Sequence, residues 1–174
     1  MRQREATVAP LIIIGLGANL PSPAYGAPKA TLMAALDRFE AVGLHVTARS
    51  RWYESEPVPK SDQPNFINGV VRVETTMTPA ALMALLQRIE KEFGRTKGVR
   101  NAARCIDLDI IAYGDKVTRG ETLPLLPHPR MHERAFVLMP LREIAPRWYH
   151  PFLGRTVDQL IDKLPRGQIA RPIA

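Results

Sequence analysis

Leu11-Ile12-Ile13-Ile14-Gly15-Leu16-Gly17 is the stretch from which the rest of the chain is read. It is a short, branched, apolar run ending in glycines, the pattern of a buried central strand. Downstream, Asn19 to Pro28 is a loop by its proline and glycine content. Leu32, Leu36 and Phe39 then fall at helical spacing within residues 29–42, and Gly43 is a C-terminal stop. Leu44, Val46, Ala48, Ser50 and Trp52 alternate with mostly polar residues, as in a strand. Residues 54–66 contain Pro57, Pro59 and Pro64 and form a loop of the length that usually carries function.

Strand character resumes at Asn68-Gly69-Val70-Val71-Arg72-Val73-Glu74-Thr75. Thr78-Pro79 is a strong helix start, an N-cap followed by proline at the first helical position. Leu82, Leu86, Ile89 and Phe93 make the buried stripe of that helix, and Gly94 ends it. A last strand, Cys105 to Tyr113, stops at Gly114-Asp115. Residues 133–144 read as helical in part, broken or kinked near Pro140 and closed by Pro146. Residues 157–164 form a final short helix. The order is β-α-β, β-α-β and then a helical C-terminal part. That is the split pattern of an α+β, ferredoxin-like domain, an antiparallel sheet with helices packed on it. The expected organisation is a disordered tail over 1–9, one domain over 10–165 and a C-terminal tail over 166–174.

Composition bounds the possibilities. With 174 residues, 45% of them hydrophobic, the chain has room for one cored domain and is neither disordered nor fibrous. Its longest apolar run falls well short of the ~20 residues that span a bilayer. Met1-Arg2-Gln3-Arg4-Glu5 is polar, so no signal peptide is expected. A single cysteine, Cys105, rules out a disulfide framework and points to the cytoplasm, with a small core residue as its expected role. Lysine and arginine total 24 against 17 acids, a net charge of +7. Arginine predominates, which suits bidentate recognition of phosphate or carboxylate. A nucleic-acid backbone and a small polyphosphate such as ATP both fit, as does a basic surface with no partner.

The sharpest local signal is Asp107-Leu108-Asp109 inside an apolar strand. Alternation puts both carboxylates on one face, with Cβ atoms roughly 6–7 Å apart, while Ile106, Leu108 and Ile110 face the core. Two adjacent carboxylates repel unless compensated, and a pair of Mg²⁺ ions sharing their shells with phosphates would compensate them. A solvated strand face with two harmless acids reads the same pattern. Directly upstream, Arg95, Lys97, Arg100 and Arg104 supply the positive charge that phosphoryl transfer needs, or a solvated basic loop. Gln87 and Glu90 lie near the end of the second helix; Glu90 reads as an anchor for a ribose or base, or as a surface residue. In Pro127-His128-Pro129-Arg130-Met131-His132-Glu133-Arg134, the His128/His132 spacing resembles a zinc pair. Pro129 opposes a helix through both, so contact with phosphate is the better reading. Gly15-Leu16-Gly17-Ala18-Asn19 lacks the features of a P-loop or dinucleotide fingerprint and reads as a tight strand-to-loop turn.

Taken together, several motifs resemble the 6-hydroxymethyl-7,8-dihydropterin pyrophosphokinase family, from Ile14 to about Leu164. They are Gly15 to Leu20, Asp62-Gln63-Pro64-Asn65-Phe66-Ile67-Asn68, Arg88-Ile89-Glu90, Arg104-Cys105-Ile106-Asp107-Leu108-Asp109-Ile110 and Pro127 to Phe136. The resemblance implies transfer of diphosphate from ATP to the pterin hydroxymethyl oxygen, with release of AMP. It implies that Asp107 and Asp109 hold two Mg²⁺ ions, with Arg95 and Arg104 as the catalytic arginines. Gln87, Glu90, Lys97, Arg100, Ile110, His128 and Arg134 match ATP-binding positions. Ser55, Val58, Phe66, Asn68 and Phe136 match pterin-binding positions, where an amide reads the ring edge and aromatic rings stack on its faces. The implied partners are these two small molecules, with no nucleic acid and no membrane, and the implied state is a monomer. The chain departs from the family at Asn101-Ala102-Ala103, where many members carry Trp-Gly-Pro, in a segment one residue shorter. It departs again at Pro129, often an aromatic, and in a longer loop from Pro21 to Pro28.

Two other classes share parts of the pattern. A two-metal nucleotidyl-transferase or cyclase-like enzyme needs a further acid on a neighbouring strand, yet Ile12-Ile13-Ile14 is apolar. An RNA-binding ferredoxin-like domain needs exposed aromatics on its central strands, where this chain has apolar and acidic residues.

Overall fold

The computed structural model describes residues 9–94 and 105–173. Its main sheet begins with β1 (Ile12–Ala18), followed by helix α1 (Pro28–Ala41) and strands β2 (His45–Arg49), β3 (Tyr53–Ser55) and β4 (Phe66–Glu74). Helix α2 (Pro79–Glu92) leads to β5 (Asp107–Tyr113). A 3-10 turn (Met131–Glu133), helix α3 (Ala135–Ile144), a small β6 (Tyr149–His150)/β7 (Arg155–Thr156) hairpin, helix α4 (Val157–Asp162) and strand β8 (Ala170–Pro172) complete the chain.

The apolar run decides the topology. β1 is central, antiparallel to β4 on one side and β5 on the other, in the order β5-β1-β4-β3-β8, with β2 also on β4. Together β2 and β3 occupy one position beside β4, so the two β-α-β units interleave in the split arrangement expected from the sequence. Alternation along β1 sends Ile12, Ile14, Leu16 and Ala18 to the face covered by α1 and α2, where they join Leu32, Phe39, Leu82, Leu86 and Ile89. The opposite face carries Ile13, Val70, Ile111 and Ala112 against Met131, Val137, Leu138 and Leu141 around α3 and α4. This second layer of helices converts the two-layer plan into a three-layer one. Ile13 is completely buried, and removing a side chain of that size from water contributes ~1.5–3 kcal/mol.

A bulge in β5 serves this second core. Ile14 pairs with Ile110 and Ile13 with Ala112, leaving Ile111 as the extra residue. Ile111 and Ala112 therefore both face α3, while Tyr113 returns to the α1/α2 side.

Helix ends follow sequence chemistry in two cases. Thr78 accepts the Ala81 N–H at 3.2 Å ahead of Pro79, and Thr156 forms a reciprocal capping box with Gln159. Gly43 and Gly94 take positive φ (81° and 90°) just past α1 and α2, where a side chain would be strained.

The structure corrects three expectations. Residues 170–172, expected within a C-terminal tail, form β8 on the free edge of β3, with Ala170 opposite Ser55. Residues 53–55, partly assigned to the long loop, are β3. Helix α3 runs through Pro140 without ending, because the proline ring is buried with Val137, Leu138 and Leu141 and their packing offsets one missing N–H. The loop from Pro21 to Pro28 is anchored by Tyr25, whose ring stacks on Phe93 at the end of α2 with centroids 4.8 Å apart. Cys105 is half-buried against the α1/α2 core, with its thiol donating to the Phe93 carbonyl at 3.3 Å. Among the described residues no helix is long and apolar enough to cross a membrane.

Candidate active site

The two ends of the α3-side face differ in kind. Moving two residues along each strand from Ile13, the register sets Gly15 between Asp109 and Val70, then Gly17 between Asp107 and Asn68. Asn68 in turn lies opposite Tyr53. Strands are spaced ~4.8 Å apart, so Asp107 and Asn68 stand on opposite sides of a bare glycine floor, their Cα atoms roughly 10 Å apart. Glycine at position 17 is required: a Cβ there would lie 2.6 Å from the Asn68 amide nitrogen. A Cβ at Gly15 would crowd Ile111 at 3.1 Å.

Above this floor lies a cavity of ≈ 280 Å³ lined by both aspartates, Asn68, Phe66, Val58, His128, Arg134 and Phe136. The structure thus brings together eight of the residues singled out from sequence, from two strands, two loops and the start of α3. The ninth, Ser55, sits behind them and fixes one of them: its hydroxyl donates to Asn68 Oδ1 at 2.8 Å, both groups being buried. That bond leaves the Asn68 NH₂ directed toward the glycine floor. Arg134 lies over the Phe136 ring, its guanidinium carbon 5.4 Å from the centroid.

His128 is held by its backbone as well as its ring. Its N–H pairs with the carbonyl of the bulged Ile111 at 2.9 Å, and its Nδ1 accepts the Arg130 N–H at 3.1 Å. Nδ1 therefore carries the lone pair, and Nε2, 3.9 Å from Asp109 Oδ2, carries the hydrogen. Burial pushes the imidazole down to about 4; the Arg134 cation acts in the same direction and Asp107 opposes both. At neutral pH the ring is an uncharged donor beside the carboxylates.

Gln87, Glu90 and Ile110 do not line this cavity. Gln87 is exposed on α2, and Ile110 is buried in the core on the α1/α2 side. Glu90 is buried, not a surface residue, and its Oε2 accepts the Leu108 N–H at 2.9 Å. It therefore braces the strand between the two aspartates from the outer edge of β5. Arg95, Lys97, Arg100 and Arg104 lie outside the described residues. Arg130, from the histidine segment read as contacting phosphate, also lines the cavity, as do Glu56 and Pro57, which were not singled out as site residues from sequence. Both sit in a loop with no periodicity, and only their proximity to Val58 marked them.

The donor set suits a hard cation. Asp107 and Asp109 offer oxygen only, which Mg²⁺ accepts when phosphates and waters complete its shell. Among the described residues no cluster of three or more His, Cys, Asp or Glu is placed to hold a metal unaided. The face beside the aspartates carries Gly15, Gly17, Asn68 and Val70, so the third strand acid of a cyclase-like site is missing among the described residues.

The open half of the sheet face thus sets paired carboxylates beside an amide and two phenylalanines over a glycine floor. A family model for 7,8-dihydro-6-hydroxymethylpterin-pyrophosphokinase (HPPK) matches residues 13–146. The chain is 38% identical over 161 residues to the 2-amino-4-hydroxy-6-hydroxymethyldihydropteridine pyrophosphokinase of Pseudomonas aeruginosa, covering 92% of this chain and 95% of that one. It is 40% identical over 153 residues to the folic acid synthesis protein fol1 of Pneumocystis carinii, but spans only 20% of that longer protein. The wild-type HPPK-DHPS of Plasmodium falciparum shares the fold, with a TM-score of 0.65 at 17% identity over 91% of this chain and 45% of that one. This chain belongs to the 7,8-dihydro-6-hydroxymethylpterin-pyrophosphokinase family, whose members are ATP-dependent transferases of folate synthesis.

Proposed function

We propose that this chain transfers the terminal diphosphate of ATP to the hydroxymethyl oxygen of 6-hydroxymethyl-7,8-dihydropterin. The observation that carries the reading is the row Asp107–Gly17–Asn68. It puts an acid pair and a ring-reading amide at the two ends of a floor that only a close-lying substrate can fill. In the reaction the hydroxymethyl oxygen bonds to the β-phosphorus, the bond from that phosphorus to the α–β bridging oxygen breaks, and AMP leaves with that oxygen. The hydroxyl proton passes to water.

Each residue has a task in this scheme. Asn68, oriented by Ser55, donates from its amide to the acceptor edge of the pterin. Phe66 and Phe136 approach its faces and Val58 closes the end. His128 donates through Nε2 to a phosphate oxygen, and Arg134 neutralises phosphate charge. Gln87, exposed on α2, lies along the route of the nucleotide around the β5 edge, which Ile110 can meet only through its main chain, and Glu90 keeps the aspartate strand in place. Lys97 and Arg100 bind ATP, while Arg95 and Arg104 neutralise the transferring group. Asp107 and Asp109 would hold two Mg²⁺ ions, which supply charge neutralisation and in-line orientation of the phosphates when bound. Holding the donor and acceptor in line over one floor makes the step effectively unimolecular. We take the chain to work as a monomer in the cytoplasm, where its single thiol stays reduced.

The test is product analysis with the purified chain, ATP, Mg²⁺ and hydroxymethyl-dihydropterin. AMP and pterin diphosphate are expected in equal amounts, and only with the pterin present. ADP as product, or AMP formed without pterin, overturns the proposal.

A further inference from the structure

Helix α3 begins in an unusual way. Its N-cap is Arg134, at φ −122° and ψ 110°, and the arginine side chain makes no capping bond. Arginine is poorly suited to the position: it has no acceptor for the orphan N–H groups, and its cation faces the positive end of the helix dipole. Helices α2 and α4 begin instead on threonines that cap locally. The acceptor for α3 comes from 33 residues further along the chain. Gln168 Oε1 accepts the Ala135 N–H at 2.9 Å, and Gln168 Nε2 donates to the Glu133 carbonyl at 2.6 Å. One side chain thus holds the main chain on both sides of Arg134.

Gln168 is itself anchored on the opposite wall of the site. Two residues later, Ala170 pairs with Ser55, the residue that orients Asn68, and the Ile173 N–H bonds to the Trp52 carbonyl at 2.9 Å. The rest of α3 is fixed without it. Val137, Leu138 and Leu141 are buried in the second core, and Glu143 accepts the Tyr53 hydroxyl. Loss of Gln168 would therefore loosen the first turn, which carries Arg134 and Phe136, and spare the helix.

We infer that Gln168 is a positioning residue of the substrate site: it spans from the Ser55 wall to the start of α3 and holds Arg134 and Phe136 over the glycine floor. The inference rests on the function proposed above. It follows that the C-terminal strand sets the width of the binding slot.

The experiment compares steady-state AMP formation by the full chain and its variants, varying ATP and pterin separately. Gln168→Met keeps length and apolar bulk but removes both bonds; it is expected to raise the KM values by about tenfold while kcat stays within about twofold. Gln168→Glu still accepts the Ala135 N–H but cannot donate to the Glu133 carbonyl and sets an oxygen against it, so its KM values are expected to rise as well. A merely structural role would lower the active fraction, and so the apparent kcat, with KM unmoved; that result overturns the inference. So does Gln168→Glu keeping wild-type KM values, since it cannot donate to the Glu133 carbonyl. Should Gln168→Met not fold, Gln168→Asn, one methylene too short to make both bonds, replaces it with the same expected KM rise, and unchanged KM values there count against the inference. A wild type that releases no AMP overturns the proposed function instead.

Discussion

One face of one sheet is used in two ways. Around Ile13, Ala112, Val70 and Ile111 it is closed by α3; two residues along the same strands, around Gly15, Gly17, Asn68, Asp107 and Asp109, it is open. Backbone, twist and alternation are shared, so the contrast lies in the side chains. Branched apolar groups in the first half need a helix to cover them, and α3 supplies Val137, Leu138 and Leu141. Glycines in the second half leave nothing for a helix to bury, and the flanking amide and carboxylates need polar or charged partners. Val70 and Ile111 stand on the boundary and contribute to both. An open floor of this kind arises from removing side chains at two positions of a central strand, without altering its pairing.

The comparison breaks most sharply if the acids are dispensable. Asp107→Ala should lower AMP formation by at least ~10³-fold in the presence of Mg²⁺, equivalent to ~4 kcal/mol of transition-state stabilisation, with little loss of thermal stability. The converse holds in the closed half. Ile13→Ala should cost ~2–5 kcal/mol in denaturant unfolding, while KM values of the folded fraction stay unchanged. Altered KM values there would mean that the halves are not separate.

Filling the floor sharpens the picture. Gly17→Ala drives a Cβ into the Asn68 amide at 2.6 Å and should raise the pterin KM by roughly 10–100-fold. Gly15→Ala, which meets only the flexible end of Ile111 at 3.1 Å, should have a smaller effect. The smallest effect concerns pH. His150 is buried, its Nδ1 accepts the N–H groups of Phe152 and Leu153, and burial, then His132, lowers its pKa from 6.5. The unfolded chain therefore binds the extra proton first, so the stabilising contribution is present above about 6.5 and is lost as pH falls below it. His150→Gln should flatten the stability curve over that range, leaving the share from His128, which in the folded chain titrates at about 4. An unchanged slope would contradict the assignment.

Much of this plan can be read in the residues. The Ile12–Ile14 run identifies the central strand, Thr78-Pro79 the start of α2, and the spacing of Asp107 and Asp109 their common face. The parts that could not be read depend on tertiary partners. β8 is three residues long and has no pattern of its own; it exists because β3 offers a free edge. Continuity through Pro140 depends on core packing, and the burial of Glu90 on an unpaired N–H at the edge of β5. Gly15 and Gly17 read as a turn when taken as local chemistry; their register against Asp109 and Asp107 makes them a floor. The cap of α3 by Gln168 crosses 33 residues and leaves no local signature.

The central claim is that both substrates lie on the glycine floor. It is tested most directly by the ¹⁵N spectrum of glycine-labelled protein, titrated with Mg²⁺, hydroxymethyl-dihydropterin and an ATP analogue whose α–β bridge cannot be cleaved. The account predicts that the Gly15 and Gly17 signals shift as both ligands bind, while those of Gly43, at the far end of α1, and Gly154, in the β6/β7 turn, stay in place. Saturating ligands that leave Gly15 and Gly17 unmoved would contradict it.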